Sequence, residues 1–463
     1  MNLPIQRLGE RARASYASHL SALPRDDVRL RFGAPLGRDG IDAYVARIDF
    51  DTDALFAAHD DRLEPTGVAH VGIVDGTAEL GVSVLPGHRG RGLGSALVAR
   101  ALDHHPELLL VLRGVDAANL EQVQPTWVLR PLFDLMRAAS EGASRRLELA
   151  RPAWRALPFR ATLHAGEDFL RVFEGVRRMH EAIEFGVLRQ GDRFGHGLAV
   201  GVDPTTEAGT VVAQSREERL DDLLWELDRY ALGDLSTTAR VERVRHEARE
   251  LAVTIYRADA ASDLEIVRES RRMRHDPALL VDRWRYPLVD LSLTPGRFSE
   301  GLFVRYLTDR DVYARGQVMV AVRSTADERV MLAEAQRWLR RELARREVTI
   351  ESNPSSNLLI GDLRSLDEHP AMRLQPIRPG ESRDDAVLLS VNTDNPVTFA
   401  SCLADEFAHL YTALLGLGVP SSDALAWIDR RREDGWRSRF TLEASALPGA
   451  LERVLAPELN RAP

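Results

Sequence analysis

The sequence predicts an α/β protein in two parts. The first is a small mixed α/β segment with an antiparallel meander, and the second is an incomplete parallel (β/α) barrel with a long helical insertion. Three observations predict this. Short strands and turns fill Val28 to about Ala101. From about Leu108 onward, apolar runs end in polar residues and are followed by amphipathic helices, the texture of a parallel sheet with its site at the carboxyl ends of the strands. Between Gly197 and Val348, about 150 residues of helical, Arg/Glu/Asp-rich pattern interrupt that alternation, far more than a connection needs.

Composition narrows the chemistry. At 463 residues the chain suits two or three domains of roughly 150 residues each. A net charge of -9 argues against coating nucleic acid through phosphate neutralisation. All 61 basic residues are arginine, which excludes a Schiff-base lysine, a pyridoxal phosphate anchor and a phosphate loop ending in Gly-Lys-Ser/Thr. The single cysteine, Cys402, excludes an internal disulfide and any Cys-x-x-Cys metal site. Residues Met1 to Leu30 hold no continuous apolar stretch, and no window approaches the ~18 apolar residues of a membrane span. A cytoplasmic enzyme or enzyme-like protein is the expectation.

In order along the chain, residues 1–25 read as a polar helix and lead-in. Val28–Phe32 reads as a strand, Ile41–Arg47 as a helix and Ala54–Ala58 as a strand. Gly67–Val74 and Thr77–Leu85 read as a hairpin closed by Asp75-Gly76. The stretch Leu85-Pro86-Gly87-His88-Arg89-Gly90-Arg91-Gly92-Leu93-Gly94-Ser95 then follows a strand and opens the apolar helix Ala96–Leu102. Glycines there let backbone amides approach an anion, and the helix N-terminus adds partial positive charge. Arg89, Gly92 and Gly94 have an Arg-x-x-Gly-x-Gly spacing, and Val28–Leu102 resembles the amino-terminal two-thirds of a GNAT acetyltransferase domain. That resemblance implies that Leu85, Arg89, Gly90, Arg91, Gly92, Gly94 and Ser95 bind acetyl-CoA, with Glu79 as candidate general base. The fifth strand of such a domain should follow Leu102. The run from Leu108 to Asn119 could be that strand or the first strand of the barrel, and the sequence leaves both open.

The barrel-like part offers runs at Leu108–Arg113, Phe159–His164, Asp192–His196, Val348–Ser352 and Val387–Asp394. After the second, Leu170, Phe173, Val176, Met179 and Ile183 fall three or four apart, one face of a helix. Arg216–Leu232 carries a similar stripe at Leu220, Leu223, Leu224, Leu227 and Tyr230, which predicts that the insertion is packed and not a free linker. Four motifs stand at strand ends: Leu163-His164-Ala165-Gly166-Glu167, Asp192-Arg193-Phe194-Gly195-His196-Gly197, Ile350-Glu351-Ser352-Asn353-Pro354-Ser355-Ser356-Asn357 and Ser390-Val391-Asn392-Thr393-Asp394-Asn395-Pro396.

In order and residue type these motifs resemble the adenosine deaminase branch of the metal-dependent amidohydrolases. The phrases Glu167-Asp168-Phe169, Asn357–Leu363 and Asp405-Glu406-Phe407 look like the large deaminases of RADAR-type phage-defence systems. The resemblance implies a TIM-type (β/α) barrel with His164 and Asp394 as Zn2+ ligands. It makes Glu167 the proton-shuttling acid/base and His196 the residue that orients a metal-bound hydroxide. Gly166, Asn395 and Asp116 are the matching substrate-binding candidates. Such chemistry needs a hydroxide at neutral pH and a carboxyl group to protonate the ring nitrogen under attack.

The pattern departs from that family in two places. No two of the 13 histidines are separated by a single residue, so the His-x-His ligand pair of a first barrel strand is missing. Asn395 stands where the family has an aspartate, and an amide supplies neither its charge nor its proton. With His164 and Asp394 alone, the site lacks the three protein ligands usual for catalytic zinc. His104-His105, adjacent before Pro106, read as helix-end residues. A buried Asp394 would be costly to keep ionised without a cation.

The expected division is a GNAT-like segment over 1–105 and a deaminase-like part over 106–463, with the insertion at about 200–345. Three functions stay open: an impaired deaminase acting on adenosine or an adenine nucleotide, an acetyl-CoA-dependent N-acetyltransferase, and a non-catalytic assembly subunit. A homo-oligomer is the expected partner state.

Overall fold

The computed structural model describes residues 5–32, 36–74, 77–89, 92–110, 112–118, 121, 125–150, 159–236, 239–275, 297–360, 363, 365–378, 380–394 and 401–440. The chain divides into two compact units. One comprises residues 1–115, 132–160 and 440–463, and the other 116–131 and 161–439. Among the described residues no helix is long and apolar enough to cross a membrane.

The first unit is built on an antiparallel sheet of four strands in chain order: β1 (Ile5–Leu8), β2 (Ala54–His59), β3 (Pro65–Val74) and β4 (Thr77–Val84). Val74 pairs with Thr77, so β3 and β4 form the expected tight hairpin; its turn, Asp75-Gly76, lies outside the described residues. β2 is apolar from Ala54 to Ala58 because both faces are covered. Ala54 and Phe56 enter one core with Leu97, Leu102, Met136 and Leu147, while Leu55 and Ala57 enter the other with Tyr16, Leu20, Ile41 and Val45. Alternation with period two sends neighbouring residues to opposite cores. Fully burying Phe56 contributes about 1.5–3 kcal/mol.

Three readings of this part need correction. The lead-in holds a strand, β1, whose Leu8 pairs with Leu55, ahead of the helix Arg13–Ser21. Val28–Phe32 is not a strand: Arg25–Phe32 is helical, with Asp26 and Asp27 in its first turn and Arg29 and Arg31 in its last. That charge order complements the helix dipole and outweighs the strand-like alternation. Leu108–Arg113 is not a strand either. Pro106–Leu110 forms a 3₁₀ helix, and Leu108, Leu109 and Leu110 fill the first core. The strand starts later, at β5 (Gly114–Ala117), and belongs to the parallel sheet. Among the described residues, the antiparallel sheet therefore gains no fifth strand.

The second unit carries that parallel sheet. Its order is β5 (of which Asp116 and Ala117 belong to this unit), β6 (Arg160–Ala165), β7 (Arg193–His196), β10 (Thr349–Ser352) and β11 (Leu389–Val391). Ala165 pairs with His196, Glu351 with Gly195, and Ser352 with Val391, so these strands end at one level. Spatial order equals chain order, so every crossover steps the same way across the sheet. Asp192, 2% exposed, fixes the starts of two strands by accepting hydrogen bonds from the Ala161 and Arg189 amides, both 2.8 Å.

The long insertion springs from a two-stranded antiparallel ribbon, β8 (Val211–Ser215) and β9 (Met319–Arg323), which the helical reading missed. Ser215 caps the helix Arg216–Leu232 by accepting from the Glu218 amide, and left-handed Gly233 ends it. Leu220, Leu223, Leu224 and Leu227 of the predicted stripe are buried against Val241, Val244 and Ala248 of the next helix. The helix Val172–Glu184 is buried on all sides. Its polar side is matched by carboxylates: Arg177 bonds Asp222 at 2.7 Å, both carboxylate oxygens of Glu181 at 2.9 Å, and Glu218.

Candidate functional site

In the first unit, β4 leads through Pro86–His88 into the helix Leu93–His104. Gly92 is the cap, at φ +77° in the left-handed region, and among the described residues a Cβ there would meet nothing within 4 Å. The turn therefore uses glycine for its backbone conformation, and space lies in front of it. Gly94 and Ser95 stand in the first turn of the helix. The Leu85 backbone N–H donates a hydrogen bond to the Thr66 carbonyl. The Arg89 guanidinium turns back, donating to the Val84 carbonyl at 2.9 Å and pairing with Asp27 at 2.5 Å. Gly90, Arg91 and the Glu79 side chain lie outside the described residues. Beside β4 runs a groove of about 460 Å³, flanked by Asp27, Arg31, Gly81 and Ser83.

In the second unit, His164, Glu167 and His196 come together, with one ligand atom from each within 4.8 Å of the others. His164 sits near the end of β6 and His196 at the end of β7, their rings 5.0 Å apart. The His164 ring lies against Gly195, where any Cβ would come within 2.6 Å of it. Asp394, after β11, places Oδ2 3.7 Å from His196 Nε2 and accepts from the Ser356 hydroxyl at 2.6 Å. Its side chain is 24% exposed, so the cost of keeping a fully buried carboxylate ionised does not apply in full. Asp116 on β5 approaches His164 Nε2 at 3.6 Å. Gly166, at φ +74°, accepts from the Ala199 amide. Asn395 lies outside the described residues. His104 and His105 are not among the clustered ligand atoms; His104 stacks near Phe56, and His105 faces Glu107.

His196 and Asp394 both have positive φ, +64° and +54°, although neither is glycine. Such strain costs of order 1–3 kcal/mol per residue and gathers at functional sites. The electrostatics agree. Burial alone would lower the pKa of His164, but the Asp116 and Glu167 carboxylates outweigh it and push it up to about 10. Burial raises Glu167, an effect that His164 offsets in part and the charges of Asp168 and Asp394 reinforce. Burial, then the charge of His164, lowers His196 to about 4. Imidazole and carboxylate are donor types that zinc accepts, and His164, Glu167 and His196 stand close enough to hold a metal ion.

Several residues given no role from sequence complete the site. The Asn357 amide oxygen accepts from His369 Nε2 at 3.1 Å and from the Asn353 amide at 3.1 Å, so its NH₂ group faces His196 Nδ1 at 2.6 Å. His196 Nδ1 also stands 3.2 Å from Glu167 Oε1, and Nε2 faces Asn353 Nδ2 at 3.3 Å as well as Asp394. Glu121 accepts from the Glu167 backbone amide at 3.1 Å and fixes that turn. The asparagines lie within a strand-end motif already apparent in the sequence; His369 follows no pattern.

Residues 25–123 match the model of the acetyltransferase (GNAT) family. This stretch is a GNAT domain. Its match begins at the helix Arg25–Phe32 and takes in β2, β3, β4 and the Gly92 turn. A second likeness is shorter. Over 72 residues the chain is 33% identical to an adenosine deaminase from Plasmodium gallinaceum. That match covers 16% of this chain and spans 18% of that enzyme's length.

Proposed function

We propose that the chain is an acetyl-CoA-dependent N-acetyltransferase through its GNAT domain. The observation that carries this is the strand–turn–helix around left-handed Gly92, with open space before it, inside the matched residues. Amides from Arg89 to Ser95 and the N-terminus of the helix Leu93–His104 would hold the diphosphate of acetyl-CoA. The groove beside β4 would receive the acceptor amine, which attacks the thioester carbonyl as Glu79 takes its proton and the thiolate leaves. Calorimetry with acetyl-CoA tests it. Binding heat that disappears in Gly92→Val is expected; no heat at millimolar ligand would overturn the reading.

A second reading applies to the parallel-sheet unit and rests on the convergence of His164, Glu167 and His196. Here the sheet is an arc of a TIM-type barrel, and the site is deaminase-like, acting on adenosine or an adenine nucleotide. His164 and Asp394 would hold Zn2+, which when bound supplies hydroxide at neutral pH. Glu167 would move the proton to the ring nitrogen, neutral His196 would orient the attacking oxygen, and Asp116, Gly166 and Asn395 would contact the substrate. With the His-x-His pair missing, substoichiometric zinc and near-background inosine formation are expected from purified protein, with zinc uptake lost in His164→Ala. Zinc content unchanged by that substitution would overturn the assignment.

A further inference from the structure

On the second unit, a groove of about 720 Å³ opens between the helix Ala326–Arg345 and the segments near Asp203 and Met372. Five arginines line it: Arg329, Arg337, Arg340, Arg373 and Arg383. Two aspartates answer them. Asp385 takes Arg340 and Arg383, and Asp203 takes Arg373 at 2.6 Å. Among the described residues no carboxylate pairs with Arg329 or Arg337. In a chain of net charge -9, this is a concentrated local excess of positive charge.

Three of the arginines are also held in place by backbone carbonyls. Arg340, 7% exposed, donates to the Val200 carbonyl at 2.7 Å; Arg383 donates to the Arg373 carbonyl at 2.9 Å; and Arg329 donates to the Ser324 carbonyl at 3.2 Å. Anchored guanidinium groups lose little freedom when a ligand binds, and each presents a planar fork that matches phosphate oxygens. Burial lowers the pKa of Arg340, and after the opposing effect of Asp385 the cations of Arg383 and Arg337 lower it further, crowding that an anion would relieve. Pro204, Val330, Ala333 and Met372 give the same groove an apolar wall. Val330 is 71% exposed there.

We propose that this groove is a binding site for the polyphosphate chain of a small phosphorylated molecule, the arginines taking the phosphates and the apolar wall the remainder. Several oxyanions in a row satisfy guanidinium groups spread along a groove better than a single carboxylate does, and the volume suits a small molecule.

The test is calorimetry on the full chain at low salt with two probes, inorganic tripolyphosphate and a nucleoside triphosphate. Both should bind, and Arg329→Glu and Arg337→Glu should each weaken binding about tenfold or more. Arg245→Glu, an exposed arginine on another helix, controls for net charge and should leave binding unchanged. Tighter binding of the nucleoside triphosphate than of tripolyphosphate assigns the remainder to the apolar wall. Unchanged thermal unfolding of the free variants would show that they fold. No heat from either probe overturns the proposal. So does binding that survives both groove substitutions, which would place the phosphates elsewhere, for instance at the Gly92 turn.

Discussion

The two units place chemistry on different parts of the chain. In the antiparallel unit the candidate site is main chain: a left-handed Gly92 and the amides of a helix start, on a sheet whose two cores are apolar. In the parallel unit it is side chains delivered by the ends of separate strands, within a body that also buries charge around Arg177 and Asp222. A backbone site needs only one local conformation. A side-chain site needs several distant segments held in register, and it fails when any one of them moves.

Substitutions that unbalance one unit should sharpen this contrast. The largest effect is expected from Arg177→Leu, which leaves buried Asp222 with Gln214 and no paired cation among the described residues, and Glu181 with Arg271 alone, and should cost about 3–5 kcal/mol. Denaturant unfolding followed by tryptophan fluorescence, which Trp225 of the same unit reports, measures it; a loss below about 1 kcal/mol would show that water or other arginines compensate.

Next comes a pair of matched glycine substitutions. Gly195→Ala drives a Cβ against the His164 ring and should cost about 1–3 kcal/mol while abolishing zinc uptake. Gly92→Ala meets open space and carries only the left-handed penalty of about 1–2 kcal/mol. Thermal unfolding of both variants, with zinc analysis, checks the difference. Intact zinc uptake in Gly195→Ala would remove the close approach as an explanation of that glycine.

The smallest effect at neutral pH is expected at His369, whose pKa burial lowers to about 3 from the ordinary 6.5. Because the folded pKa lies below the unfolded one, its neutral form contributes stability above pH 6.5, and that contribution is lost as pH falls from there toward 3. His369→Gln should therefore lose less stability than the parent between pH 7 and 5. Equal losses would mean that His369 does not titrate with unfolding.

Local pattern determined much of this protein. The Asp75-Gly76 spacing fixed the hairpin register, glycines marked the turn before the helix Leu93–His104, and the polar ends of apolar runs marked His164, Glu167, His196 and Asp394. These signals are short-range: turn conformation and side-chain alternation act within a few residues. Tertiary structure decided what depends on partners far along the chain. The run from Leu108 suited either sheet, and packing put its leucines in the first core while Gly114–Ala117 joined the parallel sheet. The same holds for His369 and Asn357, and for the buried arginines of Val172–Glu184, which the sequence shows only as polar residues. Burial of Arg177 is tolerable because Asp222 and Glu218 of another helix join Glu181 of its own, and only Glu181 lies within its local sequence window.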